Sequence, residues 1–531
     1  MKFKLVLTQQ RLIALAAAFL VVFYNQTFFR KVFDVYGLAE PNIYFVCSLA
    51  VFLFAAIVAL LTLVSSKYTT KPILAVILVL AALASYFMDS YGAIIDESML
   101  QNAIETDTAE VMDLFSLRFL LYFILLGLIP AILVLKAPMA YPSLRRGVIG
   151  KSITIAMSLV IIGAVMLAFG DSYASFIREH KQIRYYTNPL AFIYATIKYA
   201  KGFAANDEPL SLQTIGEDAA IPLTDIDREL VVMVVGETAR ADRFSLNGYS
   251  RITNPLLEKE NVVSFGDFYS CGTSTSISVP CMFSNLGRDD YTKSKASGTE
   301  NALDVLKHAG VNILWRDNNS SSKGVADRVT YEDFKSSKTN PDCDAECRDA
   351  GMLSGLQDYI DSTKSGDILI VLHQMGNHGP AYYKRYPKSF EIFKPTCNTN
   401  QLESCSAEEI NNSYDNVILY TDYFLSEVIR LLKANAAAFE PALLYVSDHG
   451  ESLGDNGLYL HGLPYPLAPD EQKHVAALMW FGDSFHIDVA AIRKKAMQRF
   501  THDNIFHTLL GIMEVETQVY DQAKDILSGN G

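Results

Sequence analysis

Over residues 1–170 the apolar positions come in long unbroken blocks, and after residue 228 they come in short ones separated by polar clusters. LIALAAAFLVVF from Leu12, IYFVCSLAVFLFAAIVALLTLV from Ile43 and ILAVILVLAALASYF from Ile73 are followed by Leu117 to Leu135 and Ile153 to Phe169. Several of these stretches approach the ~20 uncharged residues that a bilayer span requires. Five transmembrane helices are expected, the fourth interrupted by Pro130, which a membrane helix tolerates. From Asp171 to Lys201, Tyr, Phe and Ile mix with Arg and Lys, a composition suited to helices at the membrane surface, broken near Pro189. Residues 202–228 are polar and acidic, with Pro209 and Pro222, and read as a linker.

The short runs that follow look like buried strands: LVVMVVG from Leu230, ILIVLH from Ile368, ALLYVS from Ala442 and VAALMWF from Val475. Helical patterns such as NALDVLKHAG and NNSYDNVILYTDYFLSEVIRLLKAN lie between them. This alternation predicts an α/β domain with a mainly parallel sheet. The expected organisation is a transmembrane domain over 1–170, interfacial helices and linker over 171–228, and an α/β catalytic domain over 229–531.

Charge orients the spans. Lys2, Lys4 and Arg11 precede the first, Lys67 and Lys71 follow the second, and Lys136, Arg145, Arg146 and Lys151 fill the loop after the fourth. The loop after the third holds Asp96, Glu97, Glu105, Asp107, Glu110 and Asp113, with no Lys or Arg before Arg118. The N-terminus is therefore expected in the cytoplasm, with the acidic loop and everything beyond span five across the membrane. No small-residue cleavage site follows the first apolar run, so it is expected to stay as an anchor. Cys47 lies in span two, while Cys271/Cys281, Cys343/Cys347 and Cys397/Cys405 form three close pairs after span five. Local disulfides in an oxidising compartment are the simplest arrangement, with reduced thiols or a zinc knuckle as the alternative. A formal net charge of -13 argues against a nucleic-acid partner, which would need a basic face.

Polar residues follow the strand-like runs where parallel sheets gather function. Asp448 and His449 follow LLYVS and Glu237 follows VVMVVG, so two carboxylates and an imidazole are available to one divalent cation, with Gly450 allowing a tight turn. For Glu237 the alternative is a salt bridge to Arg240 or Arg243. CGTSTSISVPCMFS from Cys271 offers several hydroxyls, which are weak nucleophiles unless a metal stabilises the ionised oxygen. His378 in MGNHGP and His461 in YLHGLP are candidates for a second metal, a phosphate contact or a general acid. In the acidic outer loop Asn102, Thr106 and Glu110 are spaced by four, which stacks them on one face of a helix.

GETARADRFSLNGYSRITNP from Gly236, CGTSTSISVPCMFS, WRDNNSSSKG from Trp315, QMGNHGPAYYKRYP from Gln374 and SDHGESLGDNGLYLHG from Ser447 together resemble the bacterial lipid A phosphoethanolamine transferases, which include the mobile colistin-resistance enzymes. The resemblance covers nearly the whole chain and implies five spans plus a periplasmic domain of the alkaline phosphatase superfamily. It implies that Glu237, Thr275, Asp448 and His449 hold one zinc, a second zinc being optional, and that Thr275 is the nucleophile. It places Asn319, Ser320, Lys323, His378 and His461 around the phosphoethanolamine group or a second zinc, and supports substrate contact at Asn102, Thr106 and Glu110.

The expected activity is transfer of phosphoethanolamine from phosphatidylethanolamine to a lipid A phosphate through a covalent threonine intermediate, at the bacterial inner membrane, by a monomer. The expected phenotype is resistance to polymyxins and cationic peptides. Alternatives are an acceptor among core sugar phosphates, a phosphatidylglycerol donor, or a non-catalytic transporter or scaffold. A sulfatase is disfavoured because neither CGTST nor CMFSN supplies the Cys/Ser-x-Pro-x-Arg pattern of a formylglycine precursor.

Overall fold

The computed structural model describes residues 6–37, 42–105, 108–205, 212–344 and 346–528. The chain separates into two compact units, one of Met1–Gln101 with Phe115–Ala204, the other of Asn102–Leu114 with Ala205–Gly531.

The first unit is helical. Asn42–Val64, Thr70–Tyr91, Leu117–Lys136 and Leu144–Ala168 are each long and apolar enough to cross a membrane, and Gln9–Phe23 with Gln26–Tyr36, bent by 56°, makes up to five. Leu12, Ala16 and Leu20 pack with Leu53, Ile57 and Leu61 and with Leu74, Leu78 and Ala81, a seam repeating at three- and four-residue spacing. Pro130 leaves its mark on the helix. Its missing N–H loosens the helix into a wider turn over Phe123–Leu128, and Tyr24 Oη donates to the Leu126 carbonyl four residues before it. Leu144–Ala168 buries only Ser158 and exposes Leu159, Val160 and Leu167, a surface suited to lipid rather than water.

The second unit is built on a seven-stranded sheet. Its strands are β1 (Glu229–Gly236), β2 (Val263–Phe265), β3 (Asn312–Asp317), β4 (Thr330–Asp333), β5 (Ile368–His373), β6 (Glu440–Ser447) and β7 (Ala477–Phe481), in the order β2-β7-β6-β1-β5-β3-β4. Every pairing from β6 to β4 is parallel, and β7 runs antiparallel to both its neighbours. Period-two alternation divides β1 between two cores: Val231, Met233 and Val235 join one cluster, and Leu230, Val232 and Val234 the other. Both faces are covered, so the strand reads as continuously apolar in sequence. Each such side chain contributes about 1.5–3 kcal/mol through burial. The helix Ala407–Asn435 covers the second cluster with Val417, Ile418, Phe424 and Leu425. Ser406 starts it with a capping box to Glu409, satisfying backbone donors that would otherwise be orphaned.

The six cysteines of the second unit form three local disulfides, Cys271–Cys281, Cys343–Cys347 and Cys397–Cys405. The acidic segment after Thr70–Tyr91 carries helices Glu97–Glu105 and Thr108–Leu114. Thr106 and the side chain of Glu110 lie outside the described residues.

Candidate active site and metal centre

Strand register assembles the site. β1 and β6 are neighbours with Gly236 opposite Ser447, so Glu237, Asp448 and His449 leave the sheet at the same carboxyl edge. All three are buried, and one ligand atom of each lies within 4.8 Å of the other two. The chain leaves β1 through Thr238 at φ 50°, a left-handed conformation that is costly for a β-branched residue. Two contacts hold it there: Thr238 N donates to Asp448 Oδ1 at 3.1 Å, and Tyr414 Oη donates to the Thr238 carbonyl at 2.5 Å. Gly376 packs so close that a Cβ would sit 2.9 Å from the Glu237 carbonyl oxygen, and its φ of +45° also excludes larger residues.

The protonation pattern suits a cation. His449 Nδ1 faces the Gly450 carbonyl at 2.9 Å, so this nitrogen carries the proton and Nε2 keeps its lone pair. Nε2 lies 3.5 Å from Glu237 Oε1 and 3.3 Å from Asp448 Oδ2. Burial, reinforced by His461, holds the His449 pKa well below its ordinary value, so the ring is neutral. Burial also raises the Asp448 carboxyl. Asp448 Oδ1 accepts from two backbone N–H groups, whereas Oδ2 is buried with no hydrogen-bond partner among the described residues. A buried carboxylate oxygen without a donor is expensive unless a positive ion occupies the space beside it. The arginines that might have claimed Glu237 are engaged with other acids: Arg240 with Asp242 and Asp455, Arg243 with Asp242 and Asp415. Two carboxylates and an imidazole therefore fit a zinc-type ion, with Thr275 as a fourth donor.

Among the fenced hydroxyls the structure discriminates sharply. Thr275 opens the helix Thr275–Met282; its Oγ1 donates to Glu237 Oε2 at 3.1 Å and lies 3.4 Å from His449 Nε2. Thr273 donates instead to the Leu463 carbonyl, Ser278 accepts from Gly272 N, and Ser276 donates to Asn102 Oδ1. The Cys271–Cys281 disulfide closes this loop. His502 braces it from behind, accepting from Cys271 N at Nδ1 and donating from Nε2 to the Ser447 carbonyl. Burial lowers the His502 pKa to about 3, so it serves as a fixed neutral strut.

The remaining candidates sit at different depths. His461 lies with its ring centroid 4.2 Å from His449 and 5.7 Å from His378. Desolvation, then Arg385, lowers His378 well below the usual imidazole range. Asn319 is fully buried, and its amide donates to Glu237 Oε2 and to the Gln374 carbonyl, each at 2.7 Å. It thus orients a ligand candidate. Ser320 N donates to Asn319 Oδ1, fixing which way that amide faces. Lys323, at φ 52°, lines a cleft with Pro280, Ser284, Lys293 and Arg328 at the far end of the Thr275 helix.

Sequence reasoning missed several residues. Glu451 is fully buried and holds His461 Nδ1 at 3.2 Å. Its position two residues after His449 in SDHGES was an available signal. Asp349 accepts from Met375 N, Gly376 N and Asn318 Nδ2, and so anchors the loop that carries His378. Asp113, at the end of Thr108–Leu114, pairs with Lys384 and with Arg385 Nη2 at 2.7 Å, while Arg385 Nε donates to the His378 carbonyl at 2.8 Å. Nothing in the local sequence of Asp349 or Asp113 marks these partners.

Comparison with known proteins shows the family. A family profile described as Sulfatase matches residues 229–515, and one described as Phosphoethanolamine transferase EptA/EptB matches residues 53–203. Phosphatidylethanolamine transferase Mcr-2 of Escherichia coli is 44% identical over 528 residues, 96% of each chain. Phosphoethanolamine transferase EptA of Escherichia coli K12 is 40% identical over 97% of this chain and 95% of its own. The integral membrane lipooligosaccharide phosphoethanolamine transferase A from Neisseria meningitidis superposes with a TM-score of 0.94 at 34% identity, covering 97% of this chain and 98% of that one. The membrane helices and the α/β unit are thus matched together, and the chain belongs to the phosphoethanolamine transferase family.

Proposed function

We propose that this protein moves phosphoethanolamine from phosphatidylethanolamine to a phosphate of lipid A through a covalent intermediate on Thr275. The observation that carries this reading is the placement of Thr275 Oγ1 on Glu237 and His449, at the start of a helix and beside a buried, cation-ready cluster. The names of the Mcr-2 and EptA relatives supply the group transferred and the donor.

Glu237, Asp448, His449 and Thr275 are the residues that would hold a zinc ion, which stabilises an ionised hydroxyl and draws charge from phosphoryl oxygens. In the first half-reaction Thr275 Oγ1 bonds to the donor phosphorus and the glycerol oxygen leaves with diacylglycerol. In the second, a lipid A phosphate oxygen attacks the same phosphorus and the threonine oxygen departs. The first backbone N–H groups of Thr275–Met282 would offer donors to phosphate oxygens at this position, as helix N-termini do. Asn319 and Asn102 orient Glu237 and Ser276, and His461, held by Glu451, is the group proposed to carry a proton at the leaving or entering oxygen. His378 shares that role, and Lys323 supplies a point charge for the acceptor's phosphate.

The added amine reduces the anionic charge of lipid A, which accounts for the proposed resistance to polymyxins. Lys and Arg flanking the spans, together with three disulfides in the α/β unit, support an inner-membrane protein with cytoplasmic N-terminus and periplasmic catalytic domain. Mass spectrometry of lipid A from cells expressing the wild type and Thr275→Ala tests the reading. A phosphoethanolamine adduct present only with the wild type supports it; an adduct confined to core sugar overturns the acceptor assignment.

A further inference from the structure

β5, β1 and β6 lie side by side and parallel, and each begins at an acid: Asp367 precedes β5, Glu229 opens β1 and Glu440 opens β6. The strands are about 25 Å long, so this edge is remote from Thr275. Asp225 joins it from the incoming chain, and one carboxylate oxygen each from Asp225, Glu229 and Asp367 lies within 4.8 Å of the others. Glu229 is 1% exposed and Asp367 3%, and Glu229 Oε2 is buried with no donor from outside the cluster among the described residues, the Asp367 carboxyl being its neighbour.

The neighbouring bases do not neutralise these three. Arg228 donates to the Thr363 and Gly366 carbonyls and stacks over Phe439, and His486 pairs with Glu440 at 2.6 Å. Among the described residues, no Lys, Arg or His makes an ion pair with Asp225, Glu229 or Asp367. Burial, and then Asp367, push the Glu229 carboxyl up to about 9.

We propose that Asp225, Glu229 and Asp367 form a binding site for a hard divalent cation of the calcium type at the amino-terminal edge of the sheet. A donor set made only of carboxylate oxygens selects such an ion over zinc, which favours the nitrogen-containing set at the opposite edge. The bound ion ties the incoming chain at Asp225 to the first residue of β1 and to the start of β5, a structural rather than catalytic task.

The test titrates calcium chloride, with magnesium chloride in parallel, into the full-length protein in detergent and follows the thermal midpoint. Calcium should raise the wild-type midpoint, as a ligand that binds only the folded state does. Glu229→Gln should move the calcium needed for the rise upward by about tenfold or more, since affinity follows ligand charge. Asp225→Asn, at a half-exposed position where folding is safe, should do the same. Transfer activity, measured alongside, should be unchanged in both. A wild-type midpoint indifferent to calcium, with Glu229→Gln as stable as the wild type, overturns the proposal, because glutamine imitates a carboxyl that shares a proton with Asp367. A calcium response that survives both substitutions also overturns it, by placing the ion elsewhere.

Discussion

Glu237 and Glu229 bracket one strand, and each meets a buried aspartate from a neighbouring strand, yet the two ends of β1 are built for different work. At the carboxyl end the second shell is dense: Asn319, Thr238, Tyr414 and His502 fix ligand candidates and loop together, and a neutral His449 faces the carboxylates with a lone pair. At the amino end Asp367 accepts from Glu229 N, and among the described residues the triad that could hold an ion is made of carboxylates alone. The contrast shows that buried acids alone do not make a reaction centre. A nucleophile has to be held where the charge is, by groups that themselves cannot move.

The largest effect expected from breaking that contrast comes from Thr275→Ala. It should lower transfer by about a thousandfold or more, as loss of a covalent nucleophile does, while the thermal midpoint stays close to wild type. Phosphoethanolamine analysis of lipid A measures the first and thermal unfolding the second. Substantial residual transfer would mean that a different hydroxyl, such as Ser276, reacts.

Asp448→Ala acts on the same end through the ion. Metal analysis should find at least about one zinc per wild-type chain and distinctly less in the variant, with transfer falling in parallel. Zinc retained at the wild-type level would dissociate this cluster from the metal. Removal of zinc by a chelator should likewise abolish transfer and be reversed by adding zinc back.

Much of this centre was legible because parallel sheets put function at strand ends. LVVMVVGE and LLYVSDH announced both the strands and the residues that leave them, and both cores of β1 follow from its unbroken apolar run. The hydroxyl cluster was visible as well, but its chemistry alone left several oxygens equivalent; the family resemblance pointed to Thr275, and the partners in space, such as the Leu463 carbonyl for Thr273, separate it from the others. Asn319 was legible as a site residue, whereas its hydrogen bond to Glu237 was not, since it joins the ends of β3 and β1 across β5. The acids at the amino edge escaped notice for the same reason. Asp225, Glu229 and Asp367 become neighbours only through strand register.

Positioning residues sharpen the comparison with intermediate effects. Glu451→Gln should reduce transfer by about 10–100-fold, the usual consequence of losing a partner that orients a site histidine. The pH profile should shift with it, because the His461 tautomer and basicity depend on that carboxylate. A structural role alone would lower stability and leave the profile in place. Asn319→Ala should act through Glu237, lowering zinc occupancy as well as rate.

The smallest effect is expected at the anchoring of the outer-loop segment. Asp113 receives Lys384 and Arg385, and the side chain of Asn400 donates to its carbonyl oxygen. Asp113→Asn keeps the volume and removes the charge, at about 1.5–3 kcal/mol for hydrogen bonds to an ionised group. That loss falls on the segment rather than the sheet, because Arg385 keeps Glu346 and the His378 carbonyl. Native-state proteolysis should therefore cut residues 102–114 faster in the variant, while transfer falls by less than about tenfold. An unchanged cutting rate would show that the backbone contact from Asn400 is enough to hold the segment, and a loss of transfer as deep as that of Thr275→Ala would move Asp113 from anchor to reaction centre.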